Sequence, residues 1–209
     1  LSFPPGQHFA YFNPNYSLLG YIIEIVSGQG YIEYMEEHII KPLNLKNTYL
    51  NGEIDTTGHL SFFGFSLKRP EKYVKYDLPA GFITSTSEDL IIYLDAIRTN
   101  DPIVGVSREG IEEMKKVYSS DIPYGMGWVN SKVSNRPAVH HGGSLPGYTS
   151  NAVMLVEDEY SIALLMNKNH LLNAAIFYPN LTNGIINILT EQQSPSPLKY
   201  FWFYRLLIV

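Results

Sequence analysis

The chain has 209 residues, 45% of them hydrophobic, which is enough to bury the core of one large domain or two small ones. Its net charge is −5, with fifteen Lys and Arg residues and no basic block, which excludes nucleic-acid binding as a leading function. The sequence has no cysteine, which excludes disulfide bonds, thiolate catalysis and cysteine-ligated zinc.

Four helices are predicted within residues 1–120. Apolar residues recur at helical spacing from Asn15 to a stop at Gly28, and they predict a helix buried through one face. That face carries Leu18, Leu19, Ile22, Ile23 and Val26. A second helix is predicted over 31–40, a third after the capping-box spacing of 85–88, and a fourth after Ser107.

The remainder of the first half, from about residue 51 to residue 79, shows no clear period. It contains glycine and tyrosine but neither a sustained alternation nor a helical repeat. We predict a loop with short irregular elements there.

The second half changes to short runs rich in β-branched and apolar residues, separated by turn-forming residues. These runs predict sequential antiparallel strands, with the clearest hairpin at 157–159. The runs are 122–133, 136–143, 148–159 and 160–168. A helix predicted over 173–190, interrupted near Pro179, would pack on the sheet. The fold class is therefore predicted as α+β, with a mainly helical region over 1–120 and a sheet plus C-terminal helix over 121–193.

Residues 194–209 are predicted to be a linker followed by an apolar run. The run from Tyr200 to Val209 is interrupted only by Arg205 and is too short to cross a bilayer, which needs about 20 apolar residues. Two interpretations stay open. The run is either the start of a membrane-anchoring segment or a terminal amphipathic helix that docks on the domain.

The six histidines do not predict a metal site, because the sequence has no HxxxH or HExxH pair on a helix. His140 and His141 are adjacent on a predicted strand, so their side chains point to opposite faces and cannot chelate one ion together. One of them is expected to face the core and the other a groove. Neither a metal nor an organic cofactor is predicted.

Two further features are ambiguous when taken alone. Gly142 and Gly143 leave backbone N–H groups open to close approach, as an oxyanion hole requires, but such a pair is more often a simple turn. Tyr11 and Asn13 place a phenol and an amide side by side before the first helix. A tyrosine at that point usually packs on the core.

Five segments of the sequence, taken in their order along the chain, resemble the pattern of the β-lactamase-related serine hydrolases. This resemblance decides between the two interpretations of each feature. That family includes class C β-lactamases, low-molecular-weight penicillin-binding proteins, D-aminopeptidases and esterases. The matching segments are Pro5-Gly6 with Tyr11-Phe12-Asn13, Leu18-Leu19-Gly20 with Pro42-Leu43 to Thr48, AGFITSTSEDL, YGMGW and HGGSLPGYTS. The resemblance covers residues 4–167 and implies a β-lactamase/transpeptidase-like fold that is incomplete at the N-terminus.

The resemblance also implies roles for individual residues. Tyr11 would be the general base or proton shuttle, and Asn13 a hydrogen-bond donor to the substrate amide. His141 would be the cation of the third motif, because counting back from Pro146-Gly147 aligns His-x-Gly with 141–143. A histidine, whose ordinary pKa is about 6.5, supplies a less assured charge there than the lysine of other members.

The remaining roles concern the backbone after His141. Ser144 would supply the second oxyanion N–H, and Gly142 and Gly143 would leave clearance for the substrate.

The family's nucleophile is the serine of a Ser-x-x-Lys motif, which lies upstream of Tyr-x-Asn. The only such spacing in this sequence is at 196–199, beyond the other motifs and beside two prolines, and we interpret it as a linker or helix cap. Since the chain also starts without Met, we expect a C-terminal fragment of a complete enzyme. Alone it would be inactive, and poorly soluble because part of its sheet would be uncovered.

The parent protein is thus expected to be a serine hydrolase acting through an acyl-enzyme on a β-lactam, a D-amino-acid peptide or an ester. Its partner would be a small-molecule or peptide substrate, and it would work outside the cytoplasmic membrane, with the C-terminal segment as a possible membrane anchor. The alternative is a non-catalytic, penicillin-binding-like binding or sensor module. A Ser-x-x-Lys motif in the full-length protein would separate the two.

Overall fold

The computed structural model describes residues 3–4, 7–52, 56–62, 65–69, 73–118, 121–169 and 178–191. Within these residues, helices dominate the first half and an antiparallel sheet the second, so the predicted α+β class is confirmed. The predicted boundary at residue 193, the apolar run at the C-terminus, Pro5-Gly6 and His170 lie outside the described residues. No helix in the described part of the chain is long and apolar enough to cross a membrane.

The four predicted helices are all present. They are α1 (Pro14–Ser27), α2 (Tyr31–Met35) with a π-helical continuation (Glu36–Ile40), α4 (Ser87–Arg98) and α5 (Arg108–Lys115), and a short α3 (Leu78–Gly81) was not predicted. Gly28 ends α1 in the left-handed conformation, φ 72°, which glycine adopts without steric cost. Ser107 caps α5 by accepting a hydrogen bond from the Gly110 N–H.

The cap of α4 lies one residue later than the capping-box spacing predicts. The Thr86 hydroxyl accepts the hydrogen bond from the Asp89 N–H at 3.3 Å. Ser85 is unavailable for capping because its hydroxyl bonds that of Thr48 at 2.9 Å. The buried Asp89 carboxylate accepts a hydrogen bond from the same Thr48 hydroxyl at 2.9 Å and therefore ties the start of α4 to the loop that follows the π-helical segment.

The predicted buried face of α1 is wrong. Four of its five residues are exposed, with exposed fractions of 57%, 50%, 44% and 81% for Leu18, Leu19, Ile22 and Val26. The helix packs instead through small and polar residues. Gly20 is buried, and a Cβ added there would lie 2.3 Å from Pro79 Cγ, while Glu24 accepts a hydrogen bond from the Tyr31 N–H at 2.9 Å. Close contact with α2 and α3 thus decides which side of the helix faces inward, and it overrides the apolar periodicity.

The region predicted as a loop contains a hairpin. Strand β1 (His59–Phe62) pairs antiparallel with β2 (Phe65–Lys68). All four β2 residues are exposed, so a burial-driven alternation of polar and apolar residues, on which the prediction of strands depends, is absent.

The main sheet follows the predicted order. Its strands are β3 (Val129–Val133), β4 (Arg136–Leu145), β5 (Tyr148–Leu155) and β6 (Tyr160–Met166), paired antiparallel as β3-β4-β5-β6. The predicted hairpin joins β5 to β6, with Glu159 at φ 61°. Beyond β6, the short β7 (Lys168–Asn169) pairs parallel with β1 and attaches the small sheet to the large one.

Each face of the main sheet is covered by a separate core. On one face Trp128, Val139 and Met154 cluster with apolar residues of the helical region such as Leu94 and Ile97. On the other face Ala138, Val153, Leu155 and Ile162 cluster with Ile186 of α6 (Tyr178–Leu189). Helix α6 begins beside Pro179, which suits the first turn of a helix, and the predicted residues 173–177 lie outside the described part.

Candidate active site

Strand β4 continues past the end of its neighbour β3. The pairing of β3 with β4 ends where Val129 lies opposite His140. Within the described residues, 141–145 pair only with β5, from His141 opposite Ala152 to Leu145 opposite Tyr148. Among the described residues no strand pairs with the other edge of this segment. An extended ligand could add to that edge by main-chain hydrogen bonds.

The two adjacent histidines lie on opposite faces of β4, as predicted. His140 shares its face with Ala138 and Val153, in the core covered by α6, and its Nε2 lies 2.9 Å from Ser131 Oγ. His141 shares the other face with Val139. In the described part of the chain no three His, Asp or Glu side chains come together as a metal site.

The segment YGMGW, residues 124–128, folds into a tight turn that leads into β3. The Gly125 N–H donates to the Trp128 carbonyl at 2.7 Å, and Tyr124 forms a β-bridge with Val129. Both glycines are needed. A Cβ on Gly125 would lie 2.5 Å from the Met114 carbonyl oxygen, and Gly127 has φ +81°.

This turn delivers Tyr124 to His141. The Tyr124 hydroxyl lies 2.9 Å from His141 Nε2. Tyr16, in the first turn of α1, is close enough to Tyr124 for each phenol to affect the pKa of the other. Gly127 makes room for this contact, because a Cβ there would lie 3.1 Å from the Tyr16 hydroxyl oxygen.

Tyr11 completes the group from the segment before α1. Its ring centroid lies 6.3 Å from that of His141, with 27° between the planes, and 6.2 Å from that of Tyr124 in an edge-on arrangement. Tyr11 is 57% exposed, so it is not a tyrosine packed into the core at a helix start. We call Tyr11, Tyr16, Tyr124 and His141 the aromatic cluster.

Burial keeps the inner members of the aromatic cluster uncharged near neutral pH. It raises the pKa of Tyr124 and of Tyr16 above the ordinary value of 10.0. It also lowers the pKa of His141 below 6.5, and a hydrogen bond to the Gly142 backbone opposes this only in part. The lowered pKa of His141 makes it a weaker source of positive charge than the cation that the resemblance implied. The reason is its place on a half-buried strand against two phenol rings.

The other predicted site residues lie on either side of the aromatic cluster. Asn13 is the N-cap residue of α1, but its exposed side chain makes no capping hydrogen bond. Ser144 is exposed, and its hydroxyl accepts a hydrogen bond from Asn169 Nδ2 at 2.8 Å. The same amide group donates to the Leu145 carbonyl at 2.8 Å, so Asn169 of β7 holds the far end of β4 in place.

The two glycines after His141 have different surroundings. A Cβ on Gly143 would lie 2.2 Å from Ser150 Oγ on β5, so this glycine accommodates a neighbouring side chain. The nearest atom to a Cβ on Gly142 is the Ser150 carbonyl oxygen, at 3.8 Å. Pro146-Gly147 forms the two-residue turn between β4 and β5, with Gly147 at φ +89°.

Sequence reasoning did not identify Tyr16, Tyr124, Ser150 or Asn169. A usable signal existed for Tyr124, because two glycines within five residues just before the histidine strand indicate a tight turn against other backbone. The remaining three depend on strand register and on the packing of α1, which one sequence does not specify.

Comparison with known proteins identifies the family of this chain. The profile of the family described as Beta-lactamase matches residues 1–177. The chain belongs to the beta-lactamase family. This confirms the resemblance and the predicted β-lactamase/transpeptidase-like α+β fold.

The chain is similar to members of the family that have different names. Protein flp of Staphylococcus aureus strain MW2 is 29% identical over 178 residues, which cover 79% of this chain and 34% of the relative. Among solved structures, an octameric penicillin-binding protein homologue from Pyrococcus abyssi superposes with a TM-score of 0.78 at 27% identity, covering 97% of this chain and 47% of that one.

A D-stereospecific amidohydrolase from a Streptomyces species gives a TM-score of 0.68 at 27% identity, with 79% of this chain and 52% of that one covered. The chain thus spans about a third of the length of the curated relative and about half of the two solved ones.

The lowered pKa values of both histidines predict a pH-dependent stability. Because burial disfavours the charged imidazole of His140 and His141, the unfolded chain binds more protons than the folded chain below about pH 6.5. The free energy of unfolding should be highest above that pH and fall as the pH is lowered. Urea unfolding at a series of pH values measures this. His140→Gln keeps a polar group beside Ser131 but does not titrate, so its slope should be shallower than that of wild type; equal slopes would contradict the account.

The contact between Gly143 and Ser150 predicts a rescue. Gly143→Ala should reduce the free energy of unfolding by about 1–3 kcal/mol, since the new methyl group overlaps the Ser150 hydroxyl. Gly143→Ala combined with Ser150→Ala should recover that loss, because the Ser150 Cβ would be 3.6 Å away. Gly142→Ala, with no neighbour closer than 3.8 Å, is the matched control. Urea unfolding of the four proteins checks this, and a double variant as unstable as Gly143→Ala would refute it.

Proposed function

We propose that the chain provides the proton-transfer and substrate-binding part of a serine hydrolase active site that cleaves an amide or ester bond. The observation that carries the proposal is the position of the exposed Tyr11 beside His141, where β4 loses its β3 partner. An exposed phenol, a histidine and a strand edge without a partner among the described residues thus meet in one place. Membership of the beta-lactamase family supports a hydrolase of this general type.

In this proposal the substrate lies along residues 141–144 as an added strand. Asn13, whose amide is not used as a helix cap, donates a hydrogen bond to the substrate carbonyl next to the scissile bond. The backbone N–H of Ser144 donates to the scissile carbonyl oxygen as negative charge develops there. Gly142, with no neighbouring atom closer than 3.8 Å to an added Cβ, lets the substrate backbone approach β4, while Gly143 leaves room for the Ser150 side chain.

The nucleophile would be the serine of a Ser-x-x-Lys motif in the full-length protein, placed before Tyr11 in chain order. Its oxygen adds to the carbonyl carbon, and its proton passes to the motif's lysine or to Tyr11. The same group then protonates the leaving amine or alcohol as the bond to it breaks. Water hydrolyses the resulting ester and returns the serine.

Tyr11 suits the transfer role better than the other members of the aromatic cluster. It is exposed toward the open edge, whereas burial raises the pKa of Tyr16 and Tyr124 and keeps them protonated. A phenol shuttles a proton effectively when a neighbouring positive charge stabilises its anion. In this proposal the lysine of the Ser-x-x-Lys motif supplies that charge, because His141 is neutral at neutral pH.

For the substrate, we propose D-configured amides or peptides first, with β-lactams and simple esters as the other two classes. The name of the D-stereospecific amidohydrolase and that of the penicillin-binding protein homologue support this order, each at 27% identity. Such substrates would place the protein outside the cytoplasmic membrane.

The experiment uses the full-length protein with a D-amino-acid p-nitroanilide, a chromogenic cephalosporin and a p-nitrophenyl ester. Tyr11→Phe should lower kcat on the preferred substrate by about 10²- to 10⁴-fold, the usual contribution of a proton-transfer group. His141→Ala should also lower it, through loss of the group beside Tyr11. Tyr76→Phe, at another strongly exposed tyrosine, is the matched control and should keep full activity.

The outcomes separate the enzyme from a binding module. Turnover that depends on Tyr11 supports the proposal. Covalent or reversible binding of a penicillin without turnover of any substrate would contradict it and favour a binding or sensor protein. Full activity of Tyr11→Phe on every substrate would show that the site is assigned to the wrong residues.

A further inference from the structure

The aromatic cluster contains a residue to which the family resemblance gives no role. The geometry points to Tyr124 as a positioning residue: its hydroxyl, placed by the glycine turn and by packing on Phe9, fixes the imidazole of His141 against Tyr11. The inference rests on the proposed function and adds a residue to its site.

Two tyrosine rings lie against the imidazole of His141 in different orientations. Tyr11 lies roughly parallel to it at 6.3 Å between centroids, while Tyr124 meets it nearly edge-on, at 5.8 Å and 77°. Packing against Tyr11 constrains the plane of the ring but not which nitrogen faces which way, because the terminal torsion of histidine is broad and roughly two-fold. The 2.9 Å hydrogen bond from Tyr124 to Nε2 selects one of these orientations.

Tyr124 is itself held from several sides. Its ring packs on Phe9 at 4.9 Å between centroids, and its backbone bridges to Val129. Tyr16 lies nearby, in space that a side chain on residue 127 would crowd. The glycine turn and Phe9 thus place the ring from elements other than the strand that carries His141.

The phenol hydroxyl of Tyr124 can bond His141 in either protonation state of the imidazole. A phenol hydroxyl donates one hydrogen bond and also accepts. It donates to Nε2 when the imidazole is neutral and accepts from Nε2–H when the imidazole gains a proton. Burial raises the pKa of Tyr124, so the hydroxyl keeps its proton in the range where the enzyme would work. The orientation of His141 is therefore preserved through proton transfer at Tyr11.

The test is Tyr124→Phe in the full-length protein, which keeps the ring and removes only the hydroxyl. We expect kcat to fall about 10- to 100-fold, the scale of a misplaced catalytic group, with KM changed less than about twofold. In a His141→Ala background the same substitution should have little further effect, since Tyr124 acts through His141. Tyr73→Phe, which removes another half-buried phenol hydroxyl with a hydrogen bond to the Leu50 carbonyl, is the control and should retain wild-type kcat.

A second readout does not depend on turnover. The ¹⁵N chemical shifts of the His141 ring nitrogens report which nitrogen carries the proton, and Tyr124→Phe should change them while leaving those of His140 unchanged. If wild type hydrolyses nothing, the proposed function fails and these shifts alone decide on Tyr124. Unchanged His141 shifts, or an undiminished kcat in an active enzyme, or an equal loss with and without His141, would each overturn the inference.

Discussion

The arrangement depends on one feature of strand register: β4 continues for residues 141–145 after β3 has ended. Up to His140 the strand is an ordinary central strand with a partner on each side. From His141 onward one of its edges has no partner strand among the residues that the structure describes, and side chains still lie on both faces. The site lies where the strand changes from central to edge.

The same register explains why two adjacent histidines have unrelated surroundings. The period of two along β4 places His140 in the core under α6 and His141 toward the helical region. Both rings are neutral at neutral pH because of burial, but they bond different partners, a serine on β3 and a tyrosine from the turn before it. Adjacent identical residues on a strand should therefore be interpreted separately.

Periodic features of the sequence were enough to predict most elements. Helices α1, α2, α4 and α5 and the four strands of the main sheet follow from apolar spacing, caps and turns, which are local properties. The buried face of α1 could not be predicted from apolar spacing. The small Gly20 allows a close approach to Pro79, and the spacing of apolar residues carries no information about such a contact. Strands β1 and β2 did not follow either, since β2 is exposed on all its residues and has no burial pattern to detect.

The residues of the candidate site were also predicted only in part. Tyr11, Asn13, His141 and Ser144 were found through resemblance to a family, and the structure brings Tyr11 to His141 from 130 positions away in sequence. Tyr124 was missed because its importance lies in a hydrogen bond to His141 on a distant element. Tyr16 was missed because it reaches this group only through the packing of α1. The charge state of His141 was also beyond sequence reasoning, since it depends on how much water the surrounding rings exclude.

The most direct test of the account is a crystal structure of the full-length protein with a boronic acid analogue of a D-amino-acid amide bound. The account predicts a covalent bond to the serine of a Ser-x-x-Lys motif, a boronate oxygen within hydrogen-bond distance of the Ser144 N–H, and an amide chain running along residues 141–144 beside Tyr11. An analogue bound elsewhere, or one that leaves the free edge of β4 empty, would contradict it.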